Sequence, residues 1–219
     1  MRTIFLAFFL IIVCLFAGCE TRLPTASRSD SSHVSASGPI EKREVASAPV
    51  SKILQNAEEQ AHLTKNYTQN YYTIPYPNGD LPIETGACSD VIIHSFRAAG
   101  IDLQKEVHED MAANFSAYPK KWGVPAPDPN IDPRRVPNLQ TFFTRKGKSV
   151  GISTDPGAYR PGDIVSWDLD GKGMTHIGLV SNLWNEKTKR YLIIHNIGGG
   201  TKAEDRIFDW KITGHFRYF

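Results

Sequence analysis

The stretch TGACSDVIIHSF, residues 85–96, contains Cys88 followed directly by an apolar pattern that is typical of a helix. The fold and the candidate chemistry of the chain follow from this arrangement. Apolar and small side chains recur at the spacing of one helix face from Val91 to Phe96, and Gly100 marks the helix end. Cys88 therefore lies at the start of the predicted helix. Free backbone N–H groups and the helix dipole favour negative charge there, so we expect a lowered cysteine pKa. Cys88 is either an inert buried thiol or a nucleophile.

The N-terminus has the layout of an export signal, with a basic second residue and an apolar run from Ile4 to about Gly18. This run is shorter than the roughly 20 residues that a membrane span needs. Residues 17–19 are similar to the bacterial lipobox, which implies a signal over residues 1–19 and lipidation at Cys19. By the same resemblance, Glu20 favours delivery to the outer membrane, on its periplasmic side. An uncleaved anchor or an ordinary cleaved signal is the alternative.

Export limits what the cysteines can do. Cys14 lies in the signal and Cys19 would carry the lipid, so Cys88 remains alone and no internal disulfide can form. A leftover cysteine in an exported chain points to reactivity. A redox role is disfavoured because no resolving cysteine is left.

Residues 20–51 are rich in serine, alanine and proline, and we expect a flexible linker there. Residues 52–219 then form one domain, since about 165 residues suffice for a sizeable core. The formal net charge is +2, without a basic stripe that is interleaved with aromatic residues. This argues against nucleic acid as a partner. We expect a monomer.

The pattern along the domain changes from helical to extended. Four helices are predicted first, over residues 51–66, 88–100, 107–119 and 137–147. Four short strands follow, over residues 164–169, 176–182, 190–198 and 215–219. This order predicts an α+β domain, with N-terminal helices packed on an antiparallel sheet.

The strand region supplies the partners that a cysteine nucleophile requires. Such a nucleophile needs a base, usually histidine, and the base needs an orienting group. His176 begins one predicted strand and His195 lies near the end of the next. Cys88 and these two imidazoles would make a cysteine–histidine–polar triad, with Asn196 as the alternative orienting group. No His-x-x-x-His or Cys-x-x-Cys spacing occurs, so we predict no metal and no cofactor.

Four stretches together carry a family resemblance: IPYPNGDLPIETGACSDVI, RPGDIVSWD, HIGLVSN and LIIHNIGG. They resemble the motif series of the NlpC-type, papain-like cell-wall endopeptidases. More closely, residues 52–219 resemble the YijF-like group of exported bacterial proteins of unassigned function. The resemblance implies a papain-like cysteine hydrolase domain.

By residue match, the resemblance makes Cys88 the nucleophile, His176 the general base and acid, and His195 the third member. Tyr76 would line the site near the thiol. The chain departs from the wider family around the cysteine, where Ala87 replaces an aspartate and Asp90 a glycine.

The segment NIDPRRVPNLQTFF, residues 130–143, lies outside the general endopeptidase pattern. Arg134 and Arg135 could grip a substrate carboxylate, because guanidinium binds carboxylates in bidentate fashion. The alternative is a surface ion pair that pins a loop. Trp167 could face a groove, although buried aromatics are commoner. The expected substrate-binding residues are Tyr76, Asp90, Arg134, Arg135 and Trp167.

These patterns predict a cysteine amidase or endopeptidase that hydrolyses amide bonds in the cell envelope, with peptidoglycan peptides as the expected substrate. A lipid anchor would hold the protein on the membrane. A linker of about thirty residues spans roughly 30 Å and would let the domain search the periplasmic wall layer. The alternatives are a thiol acyltransferase on an envelope substrate and a non-catalytic cell-wall-binding module.

Overall fold

Helix α2 (Cys88–Ala98) is the most deeply buried helix of the computed structural model, which describes residues 38–219. All residues from Cys88 to Phe96 are buried, because other helices cover one side of α2 and the sheet covers the other. The remaining α-helices are α1 (Ala48–Leu63), α3 (Leu103–Ala113) and α4 (Val136–Arg145). Short 3₁₀ turns occur at Phe115–Ala117, Asp132–Arg134 and Pro156–Ala158.

Within residues 38–219, eight strands form two sheets. They are β1 (Ile40–Lys42), β2 (Asn66–Tyr67), β3 (Thr85–Gly86), β4 (Ile164–Asp168), β5 (Thr175–Asn185), β6 (Arg190–Asn196), β7 (Thr201–Glu204) and β8 (Lys211–Phe216). The main sheet has the order β7-β6-β5-β4-β8, with β1 paired to the outer end of β5, and every pairing is antiparallel. Strands β2 and β3 form a small parallel pair. The predicted α+β class, with helices on an antiparallel sheet, is confirmed.

Apolar residues cover both faces of the main sheet, as the alternation along its strands requires. Ile164 and Leu179 face the helices and join the larger core cluster. Val165 and Trp167 face the opposite side, where they pack with Ile207. No helix within residues 38–219 combines the length and apolarity needed to cross a membrane.

The domain extends further toward the N-terminus than the sequence predicts. Strand β1 and the first turn of α1 fall within the predicted linker of residues 20–51, so that linker is shorter than expected. The physical reasons are specific: β1 hydrogen-bonds to β5, and a proline suits the first turn of α1, where its missing N–H needs no partner. Cys19 and the predicted signal lie outside the described residues.

A buried ion pair holds the start of α2. Arg134 donates from Nε to Asp90 Oδ1 at 3.0 Å and from Nη2 to Oδ2 at 3.2 Å. Asp90 Oδ2 also accepts the backbone N–H of Ala87 at 2.6 Å, which closes the first turn of α2. Arg134 Nη1 donates to the backbone carbonyl of Asn70 at 2.8 Å. One guanidinium therefore ties the 132–134 turn, the start of α2 and the 68–70 loop together.

Arg134→Met should lower the free energy of unfolding by about 3–5 kcal/mol, because it leaves the Asp90 carboxylate buried without its partner. Urea unfolding followed by circular dichroism measures this change. The matched control is Lys42→Met, which breaks an ion pair whose lysine side chain is 59% exposed. The control should change stability little. Equal losses in both variants would contradict the structural role of the buried pair.

Candidate active site

Cys88 lies in a cleft of about 350 Å³, where helix α2 meets the beginning of β5. The residue is 5% exposed, and its thiol accepts a hydrogen bond from the backbone N–H of Ile177. Thr175 lines the same cleft. The thiol is therefore placed against the strand residues on both sides of His176. Among the described residues, no hydrogen bond joins Cys88 to His176 itself.

Burial controls the ionisation of the thiol. Burial, with a smaller contribution from the nearby charge of Asp90, raises the pKa of Cys88 to about 11. The N–H groups of Ile177, Ser89 and Cys88 act in the opposite direction. The expectation of a lowered pKa is therefore wrong: the helix start does favour the thiolate, but the loss of hydration outweighs it. The thiol is neutral at physiological pH.

His176 is equally buried, on the face of the sheet that carries Trp167. Its ring lies 5.7 Å from the Trp167 ring and 6.0 Å from the Trp210 ring, between centroids. Burial is the largest of the causes that lower the pKa of His176 to about 3, and the neighbouring His195 and Arg206 act in the same direction. The imidazole is therefore neutral at physiological pH, as a general base must be before it accepts a proton.

His176 is the first member of a chain of hydrogen bonds across three strands. Its Nε2 lies 2.7 Å from Nδ1 of His195, and Nε2 of His195 lies 3.1 Å from Oε2 of Glu204. The hydrogen bond with His195 lowers the pKa of Glu204, so this carboxylate is ionised at neutral pH. The structure thus brings His176 and His195 together, as predicted, and adds Glu204, which the sequence analysis missed.

Glu204 determines which ring nitrogens carry protons. An ionised carboxylate only accepts hydrogen bonds, so His195 carries its proton on Nε2. With its single proton on Nε2, His195 presents Nδ1 as an acceptor, and His176 donates to it from Nε2. The remaining nitrogen of His176, Nδ1, therefore holds a free lone pair. These tautomers follow from the bonding network, and they leave His176 with one basic nitrogen for the reaction.

Asn196, the alternative orienting group, has another role. Its Nδ2 donates to the backbone carbonyls of Asn66 at 3.2 Å and Gly86 at 3.0 Å. These bonds hold the small β2–β3 pair against the end of β6. His195 is therefore the residue that contacts His176.

Tyr67, rather than Tyr76, is the tyrosine of the cleft. The β2–β3 pairing places Tyr67 opposite Gly86, two residues before Cys88, and Tyr67 lines the cleft together with the cysteine. Gln69 donates to its hydroxyl oxygen at 2.5 Å, which leaves the phenolic proton available to another acceptor. Burial raises the pKa of Tyr67, so the hydroxyl stays protonated at neutral pH.

The prediction for Tyr76 is wrong, because its loop packs elsewhere. Gln104 of α3 binds both the carbonyl of Pro75 and the N–H of Gly79, at 2.9 and 2.8 Å. The Tyr76 ring lies edge-on to His108 of α3, is 43% exposed, and is absent from the cleft that Cys88 lines.

Three other predicted substrate-binding residues are structural. The side chains of Asp90 and Arg134 hydrogen-bond to each other and to the backbone. Arg134 also lines the cleft. Trp167 is fully buried and donates from Nε1 to the carbonyl of Ile207 at 2.8 Å. It packs beside His176 on the same face of the sheet and is too deeply buried to touch a ligand. Only Arg135 of the predicted group lines the cleft without a carboxylate partner.

No cluster of three or more histidine, cysteine, aspartate or glutamate side chains suited to a metal ion occurs within residues 38–219. The cleft instead holds a thiol, a phenol and cationic side chains, next to the strand segment that carries the His176 imidazole. This set can carry out nucleophilic and proton-transfer chemistry.

Fold and site define an α+β protein with a candidate cysteine–histidine centre at a helix–strand junction. The chain belongs to the DUF1287 family, described as "Domain of unknown function (DUF1287)", whose profile matches residues 54–218. It is 50% identical to "Uncharacterized protein YijF" of Escherichia coli (strain K12) over an alignment of 167 residues. This alignment covers 76% of this chain and 80% of the relative. The resemblance to the YijF-like group is confirmed.

A solved structure, "Structure of NlpC1 from Trichomonas vaginalis", is similar to this chain with a TM-score of 0.43 and 13% identity. The match covers 81% of this chain and 47% of that chain, less than half of its length.

The pH dependence of thiol alkylation should reveal the raised pKa of Cys88. Below a thiol's pKa, the thiolate fraction grows about tenfold per pH unit. The rate of iodoacetamide labelling, measured by mass spectrometry of the Cys88 peptide, should therefore still rise between pH 8 and pH 10, well below the pKa of about 11. In urea, the unfolded chain should level off above about pH 9. A plateau below pH 8 in the folded protein would instead reveal a preformed thiolate.

Glu204→Leu should change the tautomers of the two histidines. Long-range ¹H–¹⁵N NMR should show Nε2 protonated and Nδ1 bare in both rings of the native protein. Without the carboxylate, both rings should become tautomer mixtures, because nothing then demands a donor at His195 Nε2. Glu186→Leu, which removes an exposed carboxylate that pairs with Lys189, is the control and should change neither ring. A native His195 protonated on both nitrogens would contradict this assignment.

Proposed function

We propose that this protein is an exported cysteine amidase or endopeptidase that hydrolyses amide bonds in cell-wall peptides. One observation carries the proposal: the Cys88 thiol lies in a cleft against the strand residues that flank His176, and His176 is hydrogen-bonded to His195, which is in turn bonded to Glu204. The hydrogen bonds to a second imidazole and, through it, to a carboxylate fix the orientation and tautomer of the buried histidine, as a general base requires.

The first step joins sulfur to the substrate. In the free protein both thiol and imidazole are neutral, so the proton leaves Cys88 only as the sulfur attacks the carbonyl carbon. His176 Nδ1 accepts this proton. Catalytic hydrogen bonds are often long in free enzymes and shorten when substrate binds, which fits a thiol not yet bonded to His176. The carbonyl oxygen, now an oxyanion, accepts hydrogen bonds from the Cys88 N–H and the Tyr67 hydroxyl.

The second step expels the amine. The protonated His176 shares its charge with His195 and, through it, with the Glu204 carboxylate. It then gives its proton to the amine nitrogen as the C–N bond breaks, leaving a thioester on Cys88. Water, activated by His176 Nδ1, attacks this thioester and restores the thiol. Each group thus returns to its starting protonation state.

The cellular site of this activity rests on the N-terminal sequence. The apolar run that ends at Cys19 supports export and, through the lipobox resemblance, a lipid anchor on the periplasmic side of the outer membrane. An enzyme held there meets cell-wall peptides, whose amide bonds are the substrate class we propose.

Cys88→Ala should abolish the cleavage of muropeptides by the purified protein, because it removes the nucleophile. His176→Ala should lower the rate by about 10²–10⁴-fold, the usual contribution of a positioned acid–base group. His195→Ala should cost less, because it removes only the orienting partner. Mass spectrometry of wild-type and variant digests of cell-wall sacculi measures each outcome and identifies the bond that is cut.

The matched control is His94→Ala on the same helix as Cys88, since His94 pairs loosely with Asp80 at 3.8 Å and does not line the cleft. It should keep full activity. Products in which the acyl group has been transferred to an added amine, without any hydrolysis product, would show that the protein is an acyltransferase and not an amidase. If neither kind of product forms and Cys88 is also unreactive in the folded protein, the enzyme proposal is wrong and a non-catalytic binding module is the remaining function.

A further inference from the structure

The cleft beside Cys88 carries positive charge that the fold leaves unneutralised. Its charged lining residues are Lys121, Arg134 and Arg135, and no aspartate or glutamate lines it. Arg134 is neutralised by Asp90. Lys121 donates only to the backbone carbonyl of Gly173 at 3.2 Å. Two cations therefore face the cleft without an acidic partner among the described residues.

Arg135 is the more constrained of these cations. Its Nη1 atom is buried and has no hydrogen-bond partner among the described residues. A buried guanidinium nitrogen without a partner is costly, and it indicates a group that the fold holds ready for a ligand. Asp128 and Asp132 act on its charge from a distance, but their carboxylates bond Asn130 and His108 instead.

The surroundings of Arg135 fix its orientation. The guanidinium carbon lies 4.2 Å from the centroid of the Trp122 ring, which also lines the cleft. Stacking on an aromatic face leaves the edge of the guanidinium, with its N–H groups, free to meet a planar anion. Arg134, the preceding residue, holds the turn through Asp90, so the two arginines have separate tasks.

We infer that Arg135, stacked on Trp122 and assisted by Lys121, binds a free carboxylate of the peptide substrate beside the amide that Cys88 attacks. This rests on the proposed function, which brings a peptide into the cleft, and it specifies the substrate class as anionic peptides. Peptides whose corresponding carboxylate is converted to a carboxamide are the class that the cleft should reject. A planar carboxylate fits the guanidinium edge in bidentate fashion.

The test measures binding and cleavage separately on the full-length chain. Muropeptides released from sacculi, and the same muropeptides with their carboxylates chemically converted to carboxamides, serve as the two probes. Cys88→Ala protein, which cannot turn them over, is titrated with each probe by calorimetry. The carboxylate form should bind about 10- to 100-fold tighter, the usual gain from a charge-assisted hydrogen-bonded pair.

Adding Arg135→Gln should remove this preference, and Arg135→Lys should keep part of it. The control Arg160→Gln removes an exposed arginine that does not line the cleft, and should leave the preference intact. Thermal melts check that each variant is folded. Equal binding of the two probes by Cys88→Ala protein, binding of neither probe, or a preference that survives Arg135→Gln, would each overturn the inference.

Cleavage by the protein with Cys88 intact distinguishes failure of this inference from failure of the proposed function. Cleavage without discrimination between the probes would overturn the carboxylate site and leave the amidase standing. A preference in binding that Arg135→Gln removes, without cleavage of either probe, would support the carboxylate site and overturn the amidase.

Discussion

The ion pair between Asp90 and Arg134 is the constraint on which the site depends. It closes the first turn of α2, so it sets the direction in which the Cys88 side chain leaves the helix. The same guanidinium holds the backbone of Asn70, next to the strand that carries Tyr67. It also fixes the turn that ends at Arg134, and therefore the position of Arg135. One buried charge thus positions the Cys88 thiol, the Tyr67 phenol and the Arg135 cation of the cleft.

Burial gives the site its electrostatic character. Burial keeps the Cys88 thiol and the His176 imidazole neutral, although the backbone N–H groups of Ser89 and Cys88 at the start of α2 favour the thiolate. In the proposed reaction, charge is created only when a substrate carbonyl is present to receive it. Glu204, which is partly exposed, is the charged end of the hydrogen-bond chain. The other end of the chain, His176, is buried together with Cys88. Exclusion of water there protects the thiol against side reactions.

Local patterns were sufficient to predict the elements that carry the main chemical groups. The cysteine at a helix start and the histidines at strand ends follow from periodicity and turn residues, because these depend on neighbours in the chain. Contacts between distant residues were not predictable in this way. Tyr67 and Tyr76 lie in similar polar, aromatic stretches, and only the pairing of β2 with β3 distinguishes them. The sign of the Cys88 pKa change also depends on how deeply the sheet and helices enclose it.

Glu204 was within reach of sequence reasoning. The glycine run 198–200 predicts a hairpin, and β7 pairs with β6 so that His195 lies opposite Lys202. A residue two positions further along the strand shares the face of the strand that points toward His195. By contrast, the separate roles of Arg134 and Arg135 could not be predicted from the sequence. Two adjacent arginines have the same local sequence pattern, and only their contacts in the folded structure distinguish them.

Strand β1 has a mechanical consequence. It pairs with Leu183–Asn185 at the outer end of β5, about 25 Å along the strand from His176 at the usual rise per residue. A tensile load that enters through residue 38 is therefore taken up first by the β1–β5 contacts. The loaded end of β5 is remote from the end that β4 holds between Thr175 and Leu179. Pulling on the chain would detach β1 from β5 before it disturbed the geometry around Cys88 and His176, so the cleft is isolated from force.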